Sequence, residues 1–509
     1  MDIKKLLKIL RAENKEIECK RCKNRLPKEI WPTYSSFANT DGGYILLGVS
    51  EVVNKGKKSF EVTGIDNPEK VCDELWTCLE NPNKVSKNVL KNEDVEIQKI
   101  EDKYIIVIKI TAVSYKEKPI YINNIINNAY IRLNSTDIKI NKEQLTIFLR
   151  NQNTSQDESL LKNYIIERDI DLSSIEKYKQ YLYDRNHDEK ILNMNIEDFL
   201  IYIGASHLDY SDNKYYLTEG GLLFFGKINS IMSRFPHFHL DYFDRRGNNP
   251  RWIDRVASDD LGFQNLNLMN YFFLIIEKLR ATIEEPFELE DNLIRKSSEK
   301  LLTTLREAVI NMIIHADYYI NSSSIFVNVY DTYYEFNNPG MMLISKKEFI
   351  RGGKSCPRNI VLTTLFRRLG LSERAGTGGP EIFDFAIKNK FKIPQIETNL
   401  KETNIKIWKI DEVSASMHPE LREEAKKIFE YMRDNDKVVC AAKELKMNLD
   451  IGKYAFDKSI QQLISLKLVK KEGKGRSTVY VRTISSLEIY IRLQEMLNKF
   501  QCDIVKRKN

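Results

Sequence analysis

The chain has 509 residues, too many for a single hydrophobic core, so about three to four domains are expected. Its 42% hydrophobic and 30% charged residues are typical of a globular protein, and a formal net charge of only +7 restricts any nucleic-acid footprint to local patches. Seven cysteines, a small and odd number, argue against a disulfide framework. Without a secretory start or an apolar run of about 18 residues, we expect a cytoplasmic protein with no membrane segment.

The first 150 residues alternate strand-like and helical runs. Strands are predicted at 42–51, 103–112 and 128–136, and an amphipathic helix is predicted at 141–152. This order favours a mixed α+β domain.

A charged stretch, AENKEIECKR, occupies residues 12–21 of this region. Within it, Glu16, Glu18 and Lys20 alternate with Ile17 and Cys19. That period of two predicts a half-buried strand whose charged residues face outward. A solvated face would explain the pattern as well as a site would.

Four phrases of the N-terminal region resemble the Schlafen/AlbA-type domain: ENKEIECKR (13–21), SSFANTDGGYILLGVSE (35–51), EKPIYI (117–122) and AYIRLNST (129–136). The resemblance covers about residues 10–150 and implies a domain that binds DNA or structured RNA. Some members cleave structured RNA with three acidic residues, and that pattern falls here on Glu13, Glu18 and Glu51, with Lys20 beside them.

The implied chemistry is that of a metal-dependent nuclease. Three carboxylates would bind Mg²⁺ or Mn²⁺, which prefer oxygen ligands, and the metal would activate water. Lys20 would offset negative charge on the phosphorus. Other members bind nucleic acid without cutting it; in that alternative the acidic residues pair with Lys20 and Arg21.

A polar stretch, NQNTSQDES at 151–159, is the predicted linker. Residues 160–285 follow as a connecting α/β region, and the runs at 215–227 and 237–246 predict strand and helix pieces of a supporting layer. Residues 286–412 then form a further α/β block.

The stretch LREAVINMIIHADYY at 305–319 predicts a helix with a polar stripe. Glu307, Asn311 and His315 fall at i, i+4 and i+8 on one face, and the other sides are apolar. Such groups need a partner when buried, which magnesium and phosphate would supply. A paired stripe at a domain seam is the alternative.

Two glycine-containing segments follow. The run YEFNNPGMML at 334–343 predicts a strand ending in a tight Pro-Gly turn, and LSERAGTGGPEIFDFA at 371–386 predicts a Gly-rich loop leading into a helix. Loops of this kind expose backbone N–H groups, and a helix N-terminus favours anions.

The order of these segments over 300–386 resembles the GHKL-type ATP-binding domain of "RecG C-terminal-like" or "divergent AAA" proteins. The resemblance implies an α/β sandwich that binds ATP and Mg²⁺. It makes Glu307 the general base and Asn311 the magnesium ligand. The residues it implies for nucleotide binding are Asn311, His315, Asn338, Gly340, Arg374, Gly376 and Gly378. Asn338 replaces the usual adenine-reading aspartate, and its amide oxygen can still accept a hydrogen bond.

The C-terminal region, 418–485, reads as three helices and a Gly-tipped hairpin, and it resembles a winged helix-turn-helix. Residues 467–482 carry six Lys/Arg against one Asp/Glu. The predicted nucleic-acid contacts are Lys453, Tyr454 and Lys458 near base edges, and Lys470, Lys471, Lys474 and Arg476 near phosphates. A winged helix used only for protein contacts is the alternative.

An amphipathic helix is predicted at 486–500, within the final segment 486–509. It has no core of its own, so a homodimer or larger homo-oligomer is expected.

These patterns together predict a multidomain α+β protein: a Schlafen/AlbA-type domain, a GHKL-like α/β sandwich and a C-terminal winged helix. The first hypothesis is an ATPase whose nucleotide state controls the N-terminal domain, acting as a metal-dependent nuclease in anti-phage defence. The second is a non-catalytic, ATP-sensing transcriptional regulator that binds DNA at both ends. The third is an ATP-dependent clamp that dimerises around nucleic acid.

Overall fold

The computed structural model describes residues 15–54, 57–153, 155–247, 251–263, 265–283, 293–371, 376, 378–410, 422–434, 439–473 and 478–483. The chain divides into two compact units between Gln156 and Asp157, within the predicted linker. Glu13, Arg374, Lys474, Arg476 and the predicted C-terminal helix lie outside the described residues. No helix in the described ranges is long and apolar enough to span a membrane.

The first unit is built on a four-stranded sheet of order β1-β2-β6-β5, in which only the β1–β2 pair is parallel. Two two-stranded ribbons, β3–β4 and β7–β8, accompany it. The strands are β1 Ile17–Lys20, β2 Gly43–Leu47, β3 Val49–Asn54, β4 Lys57–Val62, β5 Val95–Ile100, β6 Lys103–Ile110, β7 Tyr130–Leu133 and β8 Thr136–Lys139. The helices are α1 Ile30–Asn39, α2 Pro68–Leu79 and α3 Lys142–Asn151, with 3-10 turns at Asn92–Asp94, Tyr115–Glu117 and Ile126–Asn128.

The apolar run of β6 explains why this sheet has a core on each face. Ile106 and Ile108 belong to the larger cluster, and Ile105 and Val107 belong to a smaller cluster on the opposite face. Because both faces are covered, the strand reads as continuous apolar sequence rather than as an alternation.

The FANTDGG segment of this unit connects the end of helix α1 to the sheet and to the segments around Ile120 and Tyr130. Asn39 ends α1, and its side-chain Nδ2 donates to the carbonyls of Ile120 (2.8 Å) and Tyr130 (3.0 Å), while its Oδ1 accepts from the Ile120 N–H (2.7 Å). Gly42 follows with a φ of +80°, and a Cβ there would lie 2.6 Å from the Ile110 carbonyl oxygen. The phrase therefore fixes how α1 enters the sheet.

The second unit contains a six-stranded sheet of order β12-β11-β13-β14-β16-β15. Its strands are β11 Leu240–Asp244, β12 Asp254–Ala257, β13 Ile325–Val329, β14 Tyr333–Pro339, β15 Gln395–Thr398 and β16 Glu402–Trp408. Only the β11–β13 pair is parallel. The run at 237–246, expected in a supporting layer, thus contributes β11 to this sheet.

The preceding part of the second unit is mostly helical, with one hairpin, β9 Ser206–Asp209 and β10 Lys214–Leu217. Its helices are α4 Ile166–Asp169, α5 Leu172–Asn186, α6 Glu189–Asn193, α7 Ile196–Ile203, α8 Glu219–Phe225 and α9 Ile228–Arg234. Around the sheet lie a 3-10 turn at Leu261–Phe263 and the helices α10 Leu268–Ala281, α11 Leu293–His315, α12 Lys346–Arg351, α13 Ile360–Arg368 and α14 Gly378–Lys388. One continuous apolar core joins these helices to one face of the sheet.

The C-terminal region has its own apolar core. Its elements are α15 Glu423–Asp434, β17 Val439–Ala441, α16 Ala442–Leu449, α17 Lys453–Ser465, β18 Val469–Glu472 and β19 Val479–Arg482. The three strands pair antiparallel in the order β17-β19-β18. Three helices and a final hairpin agree with the sequence pattern, and β17 is a strand where the start of the second helix was predicted.

Candidate nucleotide site and nucleic-acid surfaces

The polar stripe of α11 lies on one face of a helix whose other sides are buried. Glu307, Asn311 and His315 are half-buried, whereas Ala308 and Ile310 are fully packed in the core. The Asn311 side-chain Nδ2 donates to Glu307 Oε1 at 3.1 Å. Since the amide nitrogen points at the carboxylate, the amide oxygen points away from it and is the atom suited to a cation.

The glycine segment meets this stripe directly. A Cβ at Gly378 would lie 2.1 Å from Glu307 Oε1 and 2.8 Å from Asn311 Nδ2, so any larger residue would displace these two side chains. Gly378 is also the first residue of α14, whose N-terminus favours negative charge. Gly376 has a φ of +63° and packs on the backbone of Lys354. The structure therefore brings together three residues predicted from two separate motifs: Glu307, Asn311 and Gly378.

The Pro-Gly turn at the end of β14 is also closely packed. Gly340 has a φ of +96°, and a Cβ there would lie 2.9 Å from Asp317 Cβ and 3.1 Å from Arg358 Nη2. Asn338 is buried, and its Nδ2 donates to the Pro339 carbonyl at 3.0 Å. This bond leaves the amide oxygen of Asn338 as the acceptor that an adenine amino group would require.

Two residues that the sequence analysis did not single out bind the C-terminal end of α11, and one of them, Arg358, also binds this turn. The buried Arg358 donates through Nε to the His315 carbonyl (3.0 Å) and through Nη2 to the Met341 carbonyl (2.7 Å). Asn359 donates through Nδ2 to the carbonyls of Ile314 (3.1 Å) and Ala316 (2.8 Å). The signal in the sequence was an Arg-Asn pair directly before an apolar helix.

His315 is held in its neutral form by its surroundings. Burial, together with the positive charge of Arg358, lowers the pKa of His315 to about 4. At neutral pH the imidazole can therefore accept or donate a hydrogen bond but carries no charge.

The donor set at this site fits a magnesium-bound nucleotide. A carboxylate and an amide oxygen are ligands of the kind that Mg²⁺ prefers. The glycine at the start of α14 lets the backbone approach at a point where a larger residue would collide with the side chains of Glu307 and Asn311.

The first unit places Glu18 in an ion-pair network and not on a solvated face. Glu18 is buried, with one carboxylate oxygen 2.6 Å from Arg132 Nη2 and the other 2.5 Å from Lys20 Nζ. The outward orientation expected from the alternation is thus wrong, because Arg132 of β7 covers that face of β1. Cys19 is buried on the other side, as expected.

The same arginine holds a second carboxylate. Arg132 Nη1 lies 2.8 Å from Asp137 Oδ1, and Asp137 also accepts from the hydroxyls of Thr33 (2.5 Å) and Ser36 (2.5 Å). Burial lowers the pKa of Arg132, but the hydrogen bonds and charges of Glu18 and Asp137 outweigh burial and raise it. The guanidinium therefore stays charged.

The remaining members of the predicted acidic triad do not complete a metal site among the described residues. Glu51 is half-buried on β3, and Glu13 lies outside the described residues. Within the described ranges, no group of three or more His, Cys, Asp or Glu side chains is arranged to hold a metal ion.

Five of the predicted nucleic-acid residues of the C-terminal region lie among the described residues, and all five are exposed. Lys453, Tyr454 and Lys458 lie on the first half of α17, where Tyr454 is 72% exposed and Lys458 Nζ lies 5.9 Å from its ring centre. Lys470 and Lys471 are exposed on β18. A concave surface beside α17 is lined by Arg422, Lys458, Gln461, Gln462 and Ser465.

Three family descriptions match parts of the chain. Residues 13–141 match "Schlafen, AlbA_2", residues 146–241 match "Domain of unknown function (DUF8451)", and residues 322–407 match "Putative ATP-dependent DNA helicase recG C-terminal". The last match includes the Pro-Gly turn and both loop glycines, while Glu307 and Asn311 lie before its first residue.

Two solved structures are similar to the chain. The DIP2311 protein from Corynebacterium diphtheriae is 14% identical, with 94% of this chain and 98% of that chain covered and a TM-score of 0.36. The N-terminal domain of a "Putative ATP-dependent DNA Helicase RecG-related Protein" from Nitrosomonas europaea is 24% identical, with 28% of this chain and 92% of that chain covered and a TM-score of 0.22. Comparison with curated proteins gives no match.

The family matches and the elements that carry them agree in order along the chain. The mixed α+β first unit corresponds to the Schlafen, AlbA_2 match, and the large sheet of the second unit corresponds to the recG C-terminal match. The chain is therefore a multidomain α+β protein in which residues 13–141 are of the Schlafen, AlbA_2 type and residues 322–407 are of the recG C-terminal type.

Proposed function

We propose that this protein binds ATP with Mg²⁺ in its second unit, and that the nucleotide state controls how the chain engages nucleic acid. The observation that carries the proposal is the meeting of Gly378 with Glu307 and Asn311, where a side chain on the glycine would collide with both polar groups. A glycine required at the start of a helix, beside a carboxylate and an amide, is suited to phosphate and a divalent ion.

Each residue of the proposed site has a role. Asn311 would hold the metal ion through its amide oxygen, and Glu307 would orient and deprotonate the attacking water. The bound Mg²⁺ would supply charge neutralisation at the phosphates. Gly340 and Asn338 would lie against the base, and Gly376 and Gly378 would lie against the phosphates. Arg374 and His315 are the remaining residues that would contact the nucleotide.

The test separates binding from turnover. Titration calorimetry of the purified protein with ATP and Mg²⁺ should give saturable binding, and Glu307→Ala should keep binding while ATP turnover disappears. Glu299→Ala, two turns earlier on α11, is the matched control and should turn over ATP like the wild type. Flat calorimetry for the wild type would refute nucleotide binding, and unchanged turnover in Glu307→Ala would refute the base assignment.

For nucleic acid we propose contacts by the Schlafen-type domain and by α17 and the β18–β19 hairpin of the C-terminal region. The support is the exposed basic set on α17 and β18, which includes Lys453, Lys458 and Lys470, and the winged-helix order of the elements around it. Lysines at such positions contact phosphates, and the start of the third helix faces base edges.

A second candidate function is a non-catalytic regulator, in which the first unit binds DNA without cutting it. The observation that favours it is Glu18, whose two oxygens are already paired with Arg132 and Lys20. A carboxylate in this arrangement must give up a cation before it can bind a metal ion. Metal-dependent cleavage and a role in phage defence stay predictions.

A further inference from the structure

The outer face of the six-stranded sheet carries partly exposed aromatic rings, whereas the side chains of its inner face are buried in the core. On β14, Tyr334 and Phe336 point into the core, so Tyr333 and Glu335 point to the outer face. Tyr333 pairs in register with Trp408 of β16, and their ring centres are 4.8 Å apart.

The aromatic row continues across the sheet. Tyr330, directly after β13, stacks on Tyr333 with ring centres 4.5 Å apart. On the neighbouring strand β11, Phe243 faces the same side, and its ring centre is 5.4 Å from that of Trp252. Trp252, a large aromatic residue between β11 and β12, is 42% exposed.

Cations are interleaved with these rings. Arg245 lies 4.6 Å from the centre of the Phe243 ring, Arg255 lies 5.6 Å from that of Trp252, and Lys392 Nζ lies 4.2 Å from that of Trp408. The Nε atom of Arg255 is buried and has no hydrogen-bond partner among the described residues. Arg255 Nη2 lies 3.4 Å from Asp259 Oδ1, so this guanidinium is only partly engaged by its own acidic neighbour.

The acidic side chains of this face have partners. Glu335 accepts hydrogen bonds from Asn328 (2.9 Å) and Asn404 (3.2 Å), and Asp241 Oδ2 lies 2.9 Å from His239 Nε2, while Asp241 Oδ1 is buried without a hydrogen-bond partner among the described residues. An approaching polyanion would thus meet aromatic rings and positive charge, because the unpaired oxygen of Asp241 is buried.

We infer that this face, from Trp252 through Phe243 and Tyr330 to Trp408, is a binding surface for single-stranded nucleic acid. Bases stack on aromatic side chains, and arginine or lysine beside them contacts the phosphates. A sheet edge could instead add a peptide strand, but such a partner would not use a row of rings with interleaved cations. The inference adds a third nucleic-acid surface to the proposed function and does not depend on nucleotide binding.

The experiment uses the full chain and dye-labelled single strands of RNA and of DNA, with duplex DNA as a third arm. The double variant Trp252→Ala, Arg255→Ala should bind single strands more weakly by about 5- to 150-fold, the range for losing one stacked base. The slope of log affinity against log salt should become shallower by about 0.7 for the lost arginine contact. The strand that binds more tightly, RNA or DNA, identifies the class of nucleic acid that this surface binds.

Two further variants separate stacking from loss of fold. Trp252→Phe keeps a ring and should restore most of the affinity. Tyr210→Ala, Lys214→Ala removes an aromatic residue that is 90% exposed and a nearby lysine from the β9–β10 hairpin, and it should bind like the wild type. Binding should also quench wild-type tryptophan fluorescence, and Trp252→Phe should quench less.

Two results would overturn the inference. One is equal affinity of the double variant and the wild type for both single strands. The other is a wild type that binds no single strand, whether or not a peptide strand binds at the same edge. Because ATP is absent from these titrations, neither result can be mistaken for a failure of nucleotide binding, which calorimetry tests separately.

Discussion

At the scale of single residues, the candidate nucleotide site depends on two glycines whose neighbours leave too little space for a Cβ atom. Gly378 and Gly340 each lie within 3 Å of a neighbouring side chain when a Cβ is placed on them. The sequence identified both glycines, since Gly-rich and Pro-Gly segments are visible as such. It could not identify what each glycine approaches, because Glu307 and Gly378 are far apart along the chain.

Gly378→Ala should fold but bind ATP poorly. The atoms it would displace are the ends of the Glu307 and Asn311 side chains, which can move, so the loss falls on the site and not on the backbone. Overpacking of this kind costs about 1–3 kcal/mol, or about 5- to 150-fold in the Kd for ATP. Calorimetry measures the Kd, and Gly262→Ala, whose nearest neighbour would lie 3.4 Å away, is the control. Equal affinities would contradict the prediction.

His315 should make the protein less stable in mild acid. In the unfolded chain its pKa is about 6.5, whereas in the folded chain it is about 4, so between these values only the unfolded state takes up the proton. The free energy of unfolding should therefore fall as pH drops from about 6.5 to about 4, by at most about 3 kcal/mol from this group.

The measurement is urea unfolding at several pH values. His315→Gln has no titrating ring and should lose correspondingly less stability over the same window. A variant whose pH dependence matched that of the wild type would show that the histidine titrates alike in both states.

At the scale of elements, the sequence predicted where helices and strands occur better than it predicted which strands pair with each other. The helix at 141–152 is observed as α3, and the strand at 103–112 is observed as β6. The single strand predicted at 42–51 is instead two strands in different sheets, β2 and β3. The break is at Gly48, whose φ of +83° ends one strand and redirects the next.

The β1–β7 contact could not be predicted for a different reason. A period of two along β1 shows that Glu18 and Cys19 face opposite sides, but not which side is covered. The covering residue, Arg132, is 114 positions away. Burial of the charged face thus depends on tertiary packing that local pattern does not encode.

Arg132→Met should destabilise the first unit strongly. The substitution leaves Glu18 and Asp137 in a buried position without their shared cation, and loss of one partner of a buried pair costs about 3–5 kcal/mol. Hydrogen exchange of peptides from residues 15–153 measures this. Lys87→Met breaks the exposed pair of Lys87 with Glu117 and should cost at most about 1 kcal/mol. Similar costs for the two variants would contradict the prediction.

At the scale of the whole molecule, the pairing of Glu18 bears on the proposed role of the first unit, which is either cleavage or binding of nucleic acid. The sequence placed a nuclease pattern there, and the structure places one of its carboxylates between two cations. Domain order followed from the sequence because each domain has its own motifs. The aromatic outer face of the large sheet could not be predicted from the sequence, because its rings come from separate strands and a loop.

If the protein is a nuclease, the purified full chain should cleave tRNA or single-stranded DNA with Mn²⁺, and Glu18→Ala should abolish cleavage. Glu16→Ala, directly before the same strand and exposed, should cleave like the wild type. Gel assays with and without ATP measure this and show whether the nucleotide matters. Binding without any cleavage by the wild type would favour the regulator.

Asp157 is the first residue of the second unit, and its carboxylate accepts the N–H groups of Val361 (3.2 Å) and Leu362 (2.9 Å) at the start of α13. These two hydrogen bonds thus attach the chain to helix α13 at the point where it enters the second unit. A shortened protein beginning at residue 160, the predicted domain start, would lack this cap and lose about 0.5–2 kcal/mol. Dissection of the two halves should therefore cut ahead of Asp157, and a protein beginning at residue 157 should be more stable than one beginning at residue 160.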